Sequence, residues 1–131
     1  MIDELKKYSD TQNCPVRNVL DRIADKWSIL ILMLLNNFGK MRFNQIRSTI
    51  GEISQKMLAQ SLRKLEADGL VTRTVFPEIP PRVEYELTEM GRSLLPIITE
   101  LARWAQGNMH AILDSRQHYT ASANSWQKIT E

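Results

Sequence analysis

Few side chains of this sequence have the chemistry of a reactive site, and the first candidate is a cysteine. Cys14 is the only cysteine among the 131 residues, and it stands directly before Pro15. Proline is favoured at the first position of a helix, where unpaired amides and the positive end of the helix dipole stabilise a thiolate. Arg17, one turn on, has the same effect. Cys14 is therefore a candidate redox-sensing residue, and its partner would be a small thiol, an electrophile or Cys14 of a second chain.

The alternative for Cys14 is a small buried residue that fills space beside the first helix. No histidine and acidic residue accompany it in the pattern of a catalytic triad, and the five glycines are too dispersed for a phosphate-binding loop. His110 and His118 lack a third ligand for a metal ion. These patterns predict no enzymatic activity, no cofactor and no metal site.

A second group of side chains has the types that contact DNA bases. If Ser54 caps a helix, the leucines of the next segment fall on one face and its polar residues on the other. Glutamine can pair with adenine, arginine and lysine with guanine, and amides at the helix start can hold a phosphate. An ordinary solvated helix face has the same appearance, so the neighbouring elements must decide. The polar face consists of Gln55, Lys56, Ala59, Gln60, Arg63 and Lys64.

The charge distribution favours the DNA interpretation only weakly. The net charge is +2, but residues 40–73 contain seven lysines and arginines against three acidic residues. A basic middle between mildly acidic flanks is typical of a nucleic-acid-binding protein, and a solvated charged face gives the same balance. Arg42 lies near the start of this basic segment.

Apolar periodicity and helix-breaking residues predict the elements that hold these side chains. Helices are expected at residues 15–25, 27–37, 43–50 and 54–68, and the second is apolar nearly all round. After Gly69 the period changes to two, which predicts strands at residues 70–76 and 82–87 with a proline-stiffened turn between them. The expected fold class is α+β, mostly α, with one small antiparallel hairpin.

A long last helix, capped by Thr88, carries a wide apolar stripe. A two-fold interface would cover such a stripe in both copies, and packing within one chain is the alternative. From His118 onward, small and polar residues predict a loose tail with Trp126 as its anchor. The predicted dimerisation residues are Leu94, Ile97, Ile98, Leu101 and Ala105.

The length of 131 residues fits one domain, and 43% hydrophobic with 24% charged residues is ordinary for a globular chain. The longest apolar run, residues 27–35 interrupted by Ser28, is far shorter than the roughly 18 to 20 residues that cross a membrane. Residues 1–10 lack the apolar core of a signal peptide. We expect a cytoplasmic protein without membrane contact, with an extension at residues 1–13, one domain at residues 14–117 and a tail at residues 118–131.

The helices at residues 43–50 and 54–68, with their tight connection, have the lengths of a helix-turn-helix, whose second helix enters the major groove of DNA. A hairpin directly after that helix is the arrangement of a winged helix. Arg73 and Arg82 stand on its strands, where they could meet phosphates or a minor groove. The leading hypothesis is sequence-specific DNA binding, and the alternative is a winged-helix module that binds proteins.

Seven sequence blocks lie in order between about residues 14 and 105: CPV at 14–16, KWS at 26–28, RFNQI at 42–46, ISQKML at 53–58, LRKLEADGLV at 62–71, PPRVEY at 80–85 and LTEMG at 87–91. In these blocks the sequence resembles the HxlR-type transcriptional regulators, which are winged-helix proteins related to the MarR group.

The resemblance implies a homodimer that binds a pseudo-palindromic DNA operator. By analogy, the helix that begins at Gln55 is the recognition helix, the hairpin over residues 71–83 is the wing, and the first and last helices form the dimer interface. Several family members carry a cysteine at the position of Cys14 whose oxidation changes DNA binding, which favours the sensing interpretation. The predicted DNA-contacting residues are Arg42, Ser54, Gln55, Lys56, Gln60, Arg63, Lys64, Arg73 and Arg82.

Overall fold

The computed structural model describes residues 8–9 and 13–130, with side chains up to residue 123. The elements follow one another in an order of helices, a hairpin and a long final helix. They are α1 (Pro15–Ile23), α2 (Lys26–Phe38), β1 (Met41–Arg42), α3 (Phe43–Ile50), α4 (Gln55–Ala67), β2 (Val71–Phe76), β3 (Arg82–Leu87) and α5 (Glu89–Thr130).

For the part of the chain before residue 88, the predicted helices and hairpin strands are confirmed. Their ends differ from the expected ones by about two residues or less. The strand β1 was not predicted. It pairs antiparallel with β3, so the sheet has the order β1-β3-β2, with Met41 opposite Tyr85. A two-residue strand is too short to show an alternating pattern, and only its distant partner identifies it.

α2 is the central helix, as its almost wholly apolar sequence predicts. Ile31 and Leu32 are completely buried, and α2 contacts α3, α4 and β3. Ile46 of α3 and Leu58 of α4 are also completely buried. Burying one such side chain contributes roughly 1.5–3 kcal/mol. The core therefore packs both α3 and α4 against α2.

The end of α4, the start of β2 and the start of α5 meet at a tight corner. The Thr88 hydroxyl accepts a hydrogen bond from the Gly91 N–H (3.0 Å), which confirms the predicted cap, and donates to the Gly69 carbonyl (2.6 Å). The Thr88 N–H donates to the Leu70 carbonyl (3.0 Å). These bonds attach both ends of the hairpin to the end of α4.

Contacts within the chain divide it into two compact units, Met1–Pro96 and Ile97–Glu131. The loose tail predicted from His118 is wrong, because the backbone stays helical to Thr130. Residues 118–130 contain neither glycine nor proline, so no strong helix breaker interrupts them. The side chain of Trp126 lies outside the described residues. No described helix has both the length and the apolar character of a membrane span.

Candidate nucleic-acid interface

Hydrogen bonds at the start of α3 and across the turn to α4 fix this pair of helices. The Arg42 N–H donates to the Gln45 side-chain oxygen at the start of α3 (2.8 Å). α3 ends at Gly51, whose φ of 87° is a left-handed conformation that favours glycine. Arg47 Nε then donates across the turn to the Ile53 carbonyl (3.4 Å). The connection is therefore a defined turn of the helix-turn-helix type.

α4 has one apolar and one polar face, as predicted. The Ser54 hydroxyl oxygen accepts a hydrogen bond from the Met57 N–H (3.1 Å), which confirms the predicted cap. Leu58, Leu62 and Leu65 are buried. The exposed predicted contacts on this helix are Gln55, Lys56, Gln60 and Arg63.

Lys56, Gln60 and Arg63 follow one another at spacings of four and three residues, so they form a line along the exposed face of α4. Lys64 lies at the edge of that face, with its Nζ 3.5 Å from Asp25 Oδ2 at the start of α2. This ion pair holds the Lys64 ammonium beside the core helices. Lys64 thus supports α4 within the protein, which its sequence position alone does not reveal.

The strand register separates the two arginines of the hairpin. Arg73 is opposite Tyr85 and Arg82 is opposite Phe76. Because side chains alternate along a strand, these two pairs lie on opposite faces of the hairpin. Arg73 and Tyr85 line a notch of about 300 Å³ between the hairpin and α4. The other residues that line this α4–wing notch are Ala59, Leu62, Arg63 and Glu66.

Arg82 has several partners within the chain. Its Nη2 is 3.2 Å from Glu78 Oε1, its Nε is 3.6 Å from Glu84 Oε1, and its guanidinium lies 4.0 Å from the centre of the Phe76 ring. From the sequence, Arg73 and Arg82 are both expected to meet phosphates or a minor groove. The structure separates them, because only Arg73 lies on the hairpin face that adjoins α4.

Arg42 lines a wider groove of about 770 Å³ between the start of α3 and β3. Arg82 and Glu84 line the same groove, and Lys40 at its edge has its Nζ 3.6 Å from Glu86 Oε2. Arg42 is exposed and has no ion pair with any residue that the structure describes. Because the groove carries charges of both signs, Arg42 is a weaker candidate for phosphate binding than the cations of α4.

Two ion pairs between residues distant in the sequence connect the α1–α2 corner to the end of α4. Sequence reasoning missed both. Arg22 donates from Nε and Nη2 to the two carboxylate oxygens of Asp68 (3.1 and 3.0 Å). This hydrogen bonding, together with the attraction of the opposite charge, raises the pKa of Arg22. The partners are 46 residues apart in sequence, so no local pattern could have indicated the pair.

Asp25 forms the second connection and also caps α2. Its Oδ1 accepts hydrogen bonds from the N–H groups of Trp27 (3.0 Å) and Ser28 (2.8 Å). Burial raises the pKa of Asp25. Hydrogen bonds from Ser28 and the positive charge of Lys64 lower the pKa by more than burial raises it, so the pKa lies below its ordinary value. The carboxylate is therefore charged at neutral pH and couples α2 to α4.

Cys14 occupies the N-cap position of α1, as expected, but its side chain is only 3% exposed. Its carbonyl accepts a hydrogen bond from the Asn18 N–H (3.0 Å). Arg17, the expected neighbour of a thiolate, donates instead to the carbonyls of Tyr8 (3.1 Å) and Ser9 (2.9 Å). This burial agrees with the packing alternative, and any reagent must displace surrounding atoms to reach the sulfur.

The predicted apolar stripe on α5 divides into exposed and buried parts. Ile97 and Leu101 are 67% and 54% exposed, whereas Leu94 and Ala105 are half-buried. Ile98 is only 4% exposed within the single chain, so its prediction as a dimerisation residue is not supported by its position. The sequence pattern could not separate the two parts, because a wide stripe serves packing inside and outside the chain alike. α1 has its own exposed apolar residues, Val16, Val19 and Leu20.

A helix-turn-helix with a polar outer face, followed by a β-hairpin and a long helix, defines a winged helix-turn-helix DNA-binding protein. The HxlR-like helix-turn-helix family matches residues 22–112, and the chain belongs to this family. It is 40% identical over 119 residues to the HTH-type transcriptional regulator YybR of Bacillus subtilis, an alignment that spans 90% of this chain and 94% of YybR.

Solved structures of transcriptional regulators share the fold. The regulator YtfH of Salmonella typhimurium is 40% identical, with a TM-score of 0.73 and coverage of 81% of this chain and 94% of that one. The redox regulator HypR in its oxidised form is 47% identical, with a TM-score of 0.64 and coverage of 72% and 97%. The resemblance seen in the sequence is confirmed. The protein is a transcriptional regulator with a helix-turn-helix fold, and not an enzyme.

Proposed function

We propose that the protein works in the cytoplasm as a homodimer that binds a pseudo-palindromic DNA operator. The observation that carries this proposal is the exposed line of Lys56, Gln60 and Arg63 on α4. A helix with these side chains on its outer face suits the major groove, where glutamine pairs with adenine and arginine or lysine with guanine. Gln55 lies at the capped start of the same helix, where backbone amides suit a phosphate.

The exposed apolar side chains support the homodimer. Ile97 and Leu101 of α5 are more than half exposed, and Val16 and Leu20 of α1 are also exposed. Each helix therefore carries an exposed apolar pair at a spacing of four residues, and a two-fold interface would cover the same residues in both copies. Two recognition helices held in this way would contact half-sites about one helical turn of DNA apart.

The test of DNA binding is the salt dependence of affinity. If each subunit neutralises about three or four phosphates, a dimer neutralises roughly six to eight, and the slope of log affinity against log salt is about −5 to −7. Fluorescence anisotropy with a selected operator and with a scrambled duplex measures both slope and specificity. A slope near −1, or no binding to either duplex, would leave the protein-interaction module as the better explanation.

Individual substitutions test the roles of the α4 residues. Gln60→Ala should cost roughly 1–3 kcal/mol on the operator and relax preference at one base pair, because a base contact is lost. Lys56→Gln should weaken binding to both duplexes and reduce the salt slope if it contacts phosphate. Arg103→Gln is a matched control, because Arg103 lies on α5 and pairs with Glu100. Equal behaviour of all three variants would contradict the proposed interface.

We also propose that oxidation or covalent modification of Cys14 by a small thiol or an electrophile controls DNA binding. HypR, a relative, is a redox regulator by name. The sulfur of Cys14 is buried, so a bulky adduct cannot be accommodated without moving the start of α1. Arg22 lies in the last turn of α1 and pairs with Asp68 at the end of α4, so a moved α1 would displace the recognition helix.

An uncoupling variant tests this control. Diamide should oxidise Cys14 and glutathione to a mixed disulfide, and this should change the operator affinity of the wild type. Cys14→Ser should form no adduct, and its operator affinity should not change. Asp68→Asn, which weakens the link between α1 and α4, should still be modified but should show a smaller change in affinity. Mass spectrometry measures the adduct, and anisotropy measures the affinity. Modified wild type with unchanged affinity would refute the regulatory role.

A further inference from the structure

The α4–wing notch lies between the recognition helix and the inner face of the hairpin. It has a volume of about 300 Å³. Tyr85 and Leu62 form its apolar lining, and both are buried side chains of the core. Arg63 enters it from α4 and Arg73 from β2. Two guanidinium groups from different elements therefore line one small cavity.

The charges of these two arginines are not paired within the described part of the chain, a property that they share with Arg42 and Lys56. Neither Arg63 nor Arg73 has a carboxylate within 4 Å among the residues that the structure describes. Two like charges beside one cavity repel each other, and an anion placed between them removes that repulsion. Arginine binds oxyanions through parallel N–H bonds, which suits a phosphate group. The described lysines and arginines that do pair with a carboxylate are Arg22, Lys40, Lys64, Arg82 and Arg103.

We propose that the α4–wing notch binds one phosphodiester of the DNA backbone, held by Arg63 and Arg73. This inference rests on the proposed DNA binding. With α4 in a major groove and the hairpin over the adjacent minor groove, the strand that separates the two grooves passes across the space between them, where the notch lies. The contact strengthens binding without selecting a sequence. It assigns Arg63 to the backbone and leaves Gln60 as the base contact.

Glu66 provides a second test, in which DNA affinity should change in the opposite direction. It also lines the notch and lies one turn after Arg63 on α4. A carboxylate beside the phosphate site opposes the incoming anion, so the neutral variant Glu66→Gln should bind DNA more tightly than the wild type. Arg73→Gln should bind more weakly. A merely structural effect on the hairpin would weaken binding in both variants.

The experiment measures the affinity of full-length variants for the operator and for the scrambled duplex across a salt series. Arg73→Gln should lower both affinities by the same factor and make the slope less steep by about 2 for a dimer, one phosphate per subunit. Glu66→Gln should raise both affinities. Arg103→Gln is the matched control, because Arg103 lies on α5 and pairs with Glu100. Thermal melts confirm that each variant is folded.

A neutral methylphosphonate placed at each backbone position in turn locates the phosphate. At one position the methylphosphonate should lower the DNA affinity of the wild type but should not lower the affinity of Arg73→Gln any further. In a double-mutant cycle, this result identifies a direct contact between the phosphate and Arg73. Effects that add at every position would overturn the proposal. If the wild type shows no salt-dependent binding at all, the proposed function fails; if it binds and Arg73→Gln is unchanged, only this inference fails.

Discussion

Gly91 lies in the first turn of α5, and replacing it with alanine tests the corner that attaches the hairpin to α4. A Cβ atom built at Gly91 would overlap the Leu70 carbonyl oxygen and lie 3.1 Å from the Leu70 carbonyl carbon. Leu70 cannot move freely, because its N–H donates to the Leu65 carbonyl and its carbonyl accepts from the Thr88 N–H, both at 3.0 Å. The added methyl group must therefore displace backbone that is hydrogen-bonded on both sides.

The expected magnitude is a balance of two effects. Alanine is favoured over glycine inside a helix by about 1 kcal/mol. Overpacking against fixed atoms costs about 1–3 kcal/mol or more, and a broken Leu70 hydrogen bond adds roughly 1 kcal/mol. The net loss for Gly91→Ala is then about 1–3 kcal/mol, which for a chain of this size lowers the Tm by roughly 5–10 °C. DNA affinity should also fall, because the hairpin shifts relative to α4.

Gly107→Ala is the matched control on the same helix. No atom lies within 4 Å of a Cβ built at Gly107, so only the helix preference acts and the Tm should rise by a few degrees. Urea and thermal unfolding at one fixed protein concentration compare the two variants, since the Tm of a dimer depends on concentration. A Gly91→Ala protein as stable as the wild type would refute the close approach at this corner.

The remaining predictions concern four other positions. Asp25 has a lowered pKa, so its charge contributes stability that is fully present above the ordinary aspartate pKa of about 4 and is lost as the pH falls through the lowered pKa; the stability difference between the wild type and Asp25→Asn should therefore shrink steadily as the pH falls below about 4 in acid-titrated urea melts. Ser54→Ala should lose about 1 kcal/mol with its helix cap, whereas Ser61→Ala should be neutral or stabilising, because the buried Ser61 hydroxyl has no hydrogen-bond partner among the described residues. Leu101→Asp should dissociate the dimer in sedimentation, and a stable dimer would reject α5 as the interface.

The helices and the hairpin could be predicted because their limits are local. Pro15 opens α1, Gly51 ends α3, and the change of period after Gly69 marks the hairpin, all within a few residues of the feature they define. The strand β1 and the helical character after His118 could not be predicted in the same way. β1 exists only through its pairing with β3, and small polar residues are compatible with either a loop or a helix.

The recognition face could be predicted in part, because helix periodicity places Lys56, Gln60 and Arg63 together without any tertiary information. Cys14 shows the opposite case. Its position at the start of α1 was correctly predicted, but the structure shows a residue that is only 3% exposed, which no local pattern indicates. Sequence position therefore indicated the backbone environment of the thiol and not its access to solvent.

Sequence alone treats the cations of the basic segment as equivalent, and tertiary structure separates them by what lies opposite each one. Lys64 meets Asp25 and Arg82 meets Glu78, so much of their charge is compensated within the protein before any ligand arrives. Arg63 and Arg73 have no such ion pair among the described residues, and neither do Arg42 and Lys56. Glu66 also lines the α4–wing notch and opposes an incoming anion there. Net charge therefore says little about where this protein binds an anion, and the pattern of unpaired cations says more. Two of the unpaired cations, Arg63 and Arg73, line the same α4–wing notch, where the proposed phosphate would meet both of them.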